Sequence, residues 1–226
     1  MAPPASPPPP TERTTVRRED ERASYDRAVI DAIVDEALLC HLGFVDADGF
    51  PVVIPTIHAR VGDVLYVHGS AASRTLRRLS AEGVEACCTI TLLDGLVVAR
   101  SGFWSSMNYR SVLVFGTPRL VVDPAERVEA LDALIEHMLP GRSQELRASS
   151  DLELRATKVL ALALDESSAK VRTGDPDDEP SDLDGPAWAG TIPFRMVAGA
   201  PVPAANLAPG IPVPDAVRRA VRRHTE

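Results

Sequence analysis

The stretch DGFPVVIPTIHARVGDVLYVHGSAASRTLRRL, residues 48–79, decides the fold. Asp48-Gly49 is a strong two-residue hairpin signal, because such turns need left-handed backbone that Asp and Gly adopt readily. The run FPVVIPTIHARV after it is rich in β-branched residues and reads as strand. Gly62-Asp63 turns the chain again into VLYVHG. SAASRTLRRLSAEG then opens a short helix, with Ser70 as candidate N-cap and Gly83 near the C-terminal end. Two hairpins in so short a span imply antiparallel pairing.

The same grammar continues outward. Upstream, Ser24 or Asp26 caps a helix whose Val29, Ile30, Ile33, Ala37 and Leu38 share one face, and CHLGFVDA supplies the strand before Asp48. Downstream, ACCTITLL and LVVARSGF flank Asp94-Gly95, read as a further hairpin. YRSVLVFGTPRLVV is a long strand bent at Gly116-Thr117-Pro118. A helix spans about Pro124 to Met138, and TKVLALALDE is the last strand. Strands joined by hairpins, with helices inserted rather than alternating, predict an α+β fold that is mainly β: a six-stranded antiparallel barrel with flanking helices.

Three regions follow from composition. Residues 1–20, proline-rich and then charged, have too little apolar surface to offset ordering entropy and are expected to be disordered. Residues 21–200 form the domain, interrupted by the acidic stretch from Gly174 to Gly185. Residues 201–226 carry Pro201, Pro203, Pro209, Pro212 and Pro214 and are expected to wrap the surface in extended form before a short basic helix. The net charge of −8 over 226 residues speaks against a nucleic-acid partner. No apolar run reaches membrane-spanning length, MAPPASPPPP lacks a signal-peptide core, and Cys40, Cys87 and Cys88 have no metal spacing. A cytoplasmic protein with reduced thiols and no metal site is expected.

Chemistry concentrates at HGSAASR. A helix start offers unpaired N–H groups and partial positive charge, Ser70 and Ser73 add hydroxyls, and Arg74 adds a guanidinium that grips phosphate oxygens in pairs. This permits a phosphate site and equally permits a plain cap. No Rossmann, P-loop, nucleophile-elbow or HExxH motif is present.

Residues 48–79 resemble the FMN-binding half of the pyridoxamine 5′-phosphate oxidase-like split-barrel family. The resemblance implies that Val53, Ile54, Pro55 and Thr56 lie along the flavin ring. It implies that His68 and Gly69 form a polar pair at a strand end, and that Ser70, Ser73 and Arg74 hold the FMN phosphate. SMNYRSVLVFG resembles the family's later strand, implying that Asn108, Tyr109, Arg110 and Ser111 reach the cofactor across a homodimer interface. SSAKVRTG and PAWAG are similar to the flavin-nucleotide-binding subgroup, related to nitroimidazole-resistance proteins, and bring in Lys170, Arg172 and Trp188. The chain departs from the phosphopyridoxamine oxidases at Val52 and Val53, where they carry a basic residue, and at Thr75, where they carry a second one. The resemblance therefore implies a split barrel with FMN and a small-molecule oxidoreductase working by hydride or electron transfer, not oxidation of a vitamin B6 phosphate. A carrier of FMN without turnover and a haem-binding relative, with His68 or His58 on the iron, are the alternatives. His41 reads as structural, and His137 and His224 as surface residues. Trp104 either roofs the flavin or seals the barrel end.

Overall fold

The structure, a computed structural model, describes residues 7–223; residues 1–6 of the expected disordered tail and 224–226 of the extension lie outside the described residues. In chain order the strands are β1 (Ala23–Ser24), β2 (Cys40–Val45), β3 (Pro51–Thr56), β4 (His58–Val61), β5 (Val64–Ser70), β6 (Ala86–Val98), β7 (Ser106–Gly116), β8 (Arg119–Leu120), β9 (Thr157–Ala163), β10 (Ser167–Arg172) and β11 (Gly190–Pro193). The helices are α1 (Arg27–Glu36), α2 (Arg74–Leu79), α3 (Pro124–Met138), α4 (Asp151–Ala156) and α5 (Asp215–Arg223).

Every strand pairing is antiparallel. One sheet runs β1-β10-β7-β6-β2-β3, with β11 added to β6, and the second runs β4-β5-β9-β8. The chain crosses between them at Ile57 and again at Thr117-Pro118, where the expected bend lies. FPVVIPTIHARV is therefore two strands in two sheets. That split, together with β10 and the short β1, β8 and β11, takes the six expected strands to eleven. Hydrophobicity reports which face of a strand is buried, not which sheet it joins.

Asp26 caps α1, its side chain accepting from the Ala28 N–H at 2.9 Å. Ile30, Ile33 and Val34 of that helix plug the barrel interior among Leu42, Leu65, Cys88, Ile90, Val112 and Leu160. A smaller cluster, Tyr66, Val121, Ala130, Val159 and Ala161, lies between the four-stranded sheet and α3. Gly49 takes φ +87° in the β2–β3 turn, as the Asp-Gly pair requires.

Two expectations change. Asp94-Gly95 is not a hairpin: β6 runs through it, with a register shift against β7 between Leu93 and Gly95. A bulge needs the same permissive residue as a turn, so the dipeptide alone does not separate them. Here Gly95 sits against β11, and a Cβ on it would lie 2.5 Å from the Ile192 carbonyl oxygen. The charged half of residues 1–20 also packs on the barrel. Thr14 is buried. Arg13 pairs with Glu166 and with Glu85 at 2.5 Å, and lies over the Phe115 ring at 5.5 Å. Composition misses this because the segment is held by charge and cation–π contacts rather than by its own apolar area. Among the described residues no helix is long and apolar enough to cross a membrane.

Replacing Gly95 with Val is expected to push β11 off β6 and destabilise the fold by about 1–3 kcal/mol. Urea unfolding of the two proteins checks this, and an unchanged midpoint would refute the close contact.

Candidate functional site

The helix start at α2 is built differently from its sequence reading. Ser73, not Ser70, is the N-cap, accepting from the Leu76 N–H at 3.4 Å. Ser70 ends β5 and accepts from the Ala72 N–H at 3.2 Å. Gly69 leaves room for the helix to settle, since a Cβ there would meet the Leu76 side chain at 3.1 Å. Arg74 is exposed and takes no hydrogen-bond or ion-pair partner among the described residues. One turn on, Arg77 and Arg78 join it, and Arg78 Nε donates to the Val45 carbonyl at 3.1 Å. The three arginines, with Phe44, Asp46, Asp48 and Val52 of the β2–β3 hairpin, line a cavity of about 670 Å³. Arg77 and Arg78 escaped the sequence reading, although their i, i+3, i+4 spacing from Arg74 puts all three on one helix face.

The strand residues divide by alternation. Val53 and Pro55 point away from the barrel, and Val53 is 65% exposed, whereas Val52 and Ile54 pack on the core. Thr56 lies opposite the buried Cys40 and turns inward with it. Register carries the outer face across the sheet through Pro55, His41, Thr89 and Leu113, and in the next rows through Val53, Gly43 and Cys87 and through Thr91 and Ser111. Tyr109 belongs to this face, two residues from Ser111. None of these central residues is a carboxylate, a lysine or an arginine.

Asn108 and Arg110 turn the other way. Asn108 Oδ1 accepts from Arg172 at 2.7 Å, and its Nδ2 donates to the Gly174 carbonyl at 3.0 Å, so both hold the acidic loop. Arg110 is clamped by Asp94 at 2.8 Å and by Glu36. Glu36 is held below the usual carboxylate range by that guanidinium. Lys170 Nζ donates to the Arg18 carbonyl at 2.7 Å, fastening the N-terminal segment. Trp188 is 65% exposed and lies over Gly190, whose absent Cβ would sit 3.0 Å from its ring. Trp104 stacks edge-on with Phe103 at 5.1 Å. The structure therefore does not gather Asn108, Arg110, Lys170, Arg172 and Trp188 with Arg74 into one site; within the single chain they serve loop and terminus contacts.

The histidines separate cleanly. His58 is fully buried, and its Nε2 donates to the Val34 carbonyl at 2.9 Å. His137 Nε2 donates to the Ala37 carbonyl at 2.7 Å, with the two rings 5.0 Å apart. Both therefore fasten the C-terminal end of α1; His137, expected on the surface, is half-buried because the Ala37 carbonyl takes its ring N–H. Burial lowers the His137 pKa, against a smaller opposing pull from the Ala37 carbonyl. His68 is unlike them. On β5, Leu65 and Val67 face the barrel, so Tyr66 and His68 face α3. Its Nδ1 is buried without a hydrogen-bond partner, as that of His58 is, but its Nε2 has none among the described residues either; burial lowers its pKa, keeping the ring neutral. It lines a cavity of about 220 Å³ with Ile57, Leu134, Met138 and Leu154. A second cavity of about 520 Å³, lined by Leu146 and Arg147, shares Leu131, Ile135, Ser149, Glu153 and Leu154 with the first. The two are compartments of one groove between α3 and residues 143–157. Among the described residues no group of three or more His, Cys, Asp or Glu could hold a metal ion by itself.

This is an antiparallel split barrel with an arginine-lined hairpin pocket and an apolar histidine groove. The pyridoxamine 5′-phosphate oxidase family model matches residues 26–171, and the chain belongs to that flavin-binding family. It is similar to the flavocytochrome Anf3 from Azotobacter vinelandii, at 38% identity over 94% of this chain and 98% of that one, with a TM-score of 0.89. It is also similar to the FAD- and haem-binding protein from Mycobacterium smegmatis, at 45% identity over 88% and 97%, TM-score 0.83. A candidate 5-nitroimidazole antibiotic resistance protein from Bacteroides thetaiotaomicron aligns at 26% identity over 66% and 86%, TM-score 0.56. No curated protein matches the sequence.

Because the folded His137 pKa lies below its ordinary 6.5, the unfolded chain takes up the proton first. The stabilising contribution is therefore complete above about pH 6.5 and falls as the pH drops towards the folded value. The melting temperature of the wild type should decline from pH 7 to 5 more steeply than that of His137→Gln. Parallel profiles would refute the assignment.

Proposed function

We propose that this chain is a homodimeric flavin- and haem-binding oxidoreductase, carrying FAD and acting by electron or hydride transfer. One observation carries the haem assignment: His68 presents a neutral, unpartnered imidazole to an apolar groove. A buried polar atom without a partner is costly, and a ligand bond to iron would satisfy this ring through one of its nitrogens. The connected compartments reach the roughly 300–1,000 Å³ usual for cofactor sites. Arg147, paired with Glu153 at 2.6 Å on the solvent side, offers a cation to the carboxylates of such a macrocycle. His58 also keeps a bare Nδ1, but it is fully buried against α1 and the His137 ring, whereas His68 lines the groove.

The arginines of α2 support a flavin nucleotide at the hairpin pocket. Arg74 and Arg77 supply two guanidiniums, which suits the two phosphates of FAD better than the single phosphate of FMN. The exposed outer face of β3 offers Val53 and Pro55 as an apolar platform for the ring. Ser70 and Ser73 shape the helix start, and their hydroxyl protons remain available to an anion. Tyr109 and Ser111 share a sheet face with β3, whose central row from Pro55 through His41 and Thr89 to Leu113 has no carboxylate, lysine or arginine. A second copy seated on that face would bring them to the cofactor of its partner. Such a charge-depleted surface, in a chain with 25% charged residues, has the character of an interface core. Flavin accepts hydride or single electrons, and haem iron exchanges single electrons. The protein supplies the neutral ligand, the cation for the phosphates and the water-poor walls.

Freshly purified protein should absorb near ~375 and ~450 nm from flavin and near ~400 nm from haem. His68→Ala should lose the haem band and keep the flavin. Arg74→Ala should weaken flavin binding by about 1.5–3 kcal/mol, as loss of a charged hydrogen bond does. A haem band that survives in His68→Ala sinks the ligand assignment. Thr91→Arg, placing a charge at the centre of the sheet face, should turn a dimer into a monomer in light scattering, through a desolvation cost of a few kcal/mol. A mutant that stays dimeric counts against the interface.

A further inference from the structure

The four arginines of α5 are not absorbed by either cofactor site. From Asp215 to Arg223 the helix has four arginines and one aspartate, a net +3, in a chain of net −8; the rest therefore carries −11. Its apolar side is already seated: Ala216 is fully buried, and its N–H donates to Glu145 Oε1 at 3.3 Å. Arg219 donates to the Pro140 carbonyl at 3.0 Å through Nη2, and Arg223 donates to the Asp35 carbonyl at 3.3 Å. These contacts hold α5 on the turn 140–145, whose Ser143 lines the groove leading to His68. Arg218 and Arg222, one turn apart, remain on the outside. Arg218 pairs with Asp215 at 2.6 Å and is half exposed; Arg222 is exposed with no partner among the described residues.

We propose that α5 is the docking surface for a small acidic one-electron carrier protein, which approaches the His68 groove there. The inference rests on the redox reading above. A basic patch on a molecule whose remainder is net acidic orients a small acidic partner during encounter; the other basic face, on α2, is the one assigned to the flavin phosphates. A long polyanion or a lipid surface fits less well. Either would meet the surrounding −11, and α5 has no free apolar side to insert into a bilayer. Were haem held at His68, it would supply a one-electron acceptor there, and the carrier would be oxidised by the one electron the iron takes up.

The test uses the full-length purified protein and oxidised plant-type ferredoxin as the acidic probe, by calorimetry in salt of about 20 mM and about 300 mM. The dissociation constant should rise roughly tenfold or more with salt. At low salt, Arg218→Gln/Arg222→Gln should lose part of the affinity and Arg218→Glu/Arg222→Glu more than roughly tenfold. A helix that simply undocked would give both variants the same loss, and that result would overturn the proposal. Arg18→Glu, on a side chain 91% exposed in the N-terminal segment, should change nothing. Haem reduction by ferredoxin should slow in step with affinity, while photoreduction by neutral deazariboflavin stays constant. Binding that ignores both salt and charge reversal would overturn the proposal, as would equal binding of phosphatidylserine vesicles. Protein without a haem band would defeat the haem reading alone, since the calorimetry decides the docking surface by itself.

Discussion

The fold depends on one long strand. β6 pairs with β7 along one edge over nearly its whole length. Along the other edge it pairs first with β2 and then with β11. Its backbone N–H and C=O groups thus satisfy three neighbours, and Gly95 marks where the second edge changes partner. A side chain there would collide with the Ile192 carbonyl, so the C-terminal segment could not add to the sheet. The outer sheet face, the arm that leaves β11 and the position of α5 all follow from that junction.

Alternation around this strand then allots the chemistry. On β5 one set of side chains closes the barrel and the other meets α3, so Val67 and His68, adjacent in sequence, serve the core and the groove respectively. On β7 the same rule separates Tyr109 and Ser111 from Asn108 and Arg110. The polar residues turned from the outer face are consumed by partners within the chain: Asp94 and Glu36 take Arg110, and Arg172 takes Asn108. His68 is left without one. His58 and His137 each satisfy a carbonyl of α1 through Nε2, and that difference in partners sets His68 apart.

Charge is distributed on the same plan. The central rows of the outer sheet face carry none, the α2 face carries three arginines, and α5 carries four. Arg13, with no apolar segment to support it, still orders the N-terminal stretch through Glu85, Glu166 and Phe115. Apolar area builds the barrel. Charge positions what lies on it.

The sequence by itself determined the strand-turn-strand grammar of residues 40–79, the helix from Pro124 to Met138, the cap at Asp26 and the family. Each of these is encoded locally, in turn residues, caps and periodicity. It also singled out Arg74 and His68, because a strand end leading into an Arg-bearing helix start is visible as a string. Only the tertiary structure decided that Ile57 divides one apolar run between two sheets, that Asp94-Gly95 is a bulge, and that Ser73 displaces Ser70 as the cap. It alone showed that Asn108, Arg110 and Arg172 make loop and helix contacts within the chain, and that His68 faces a groove. These depend on which distant group arrives to take a hydrogen bond or fill a space. A dipeptide or a period carries no information about a neighbour a hundred residues away.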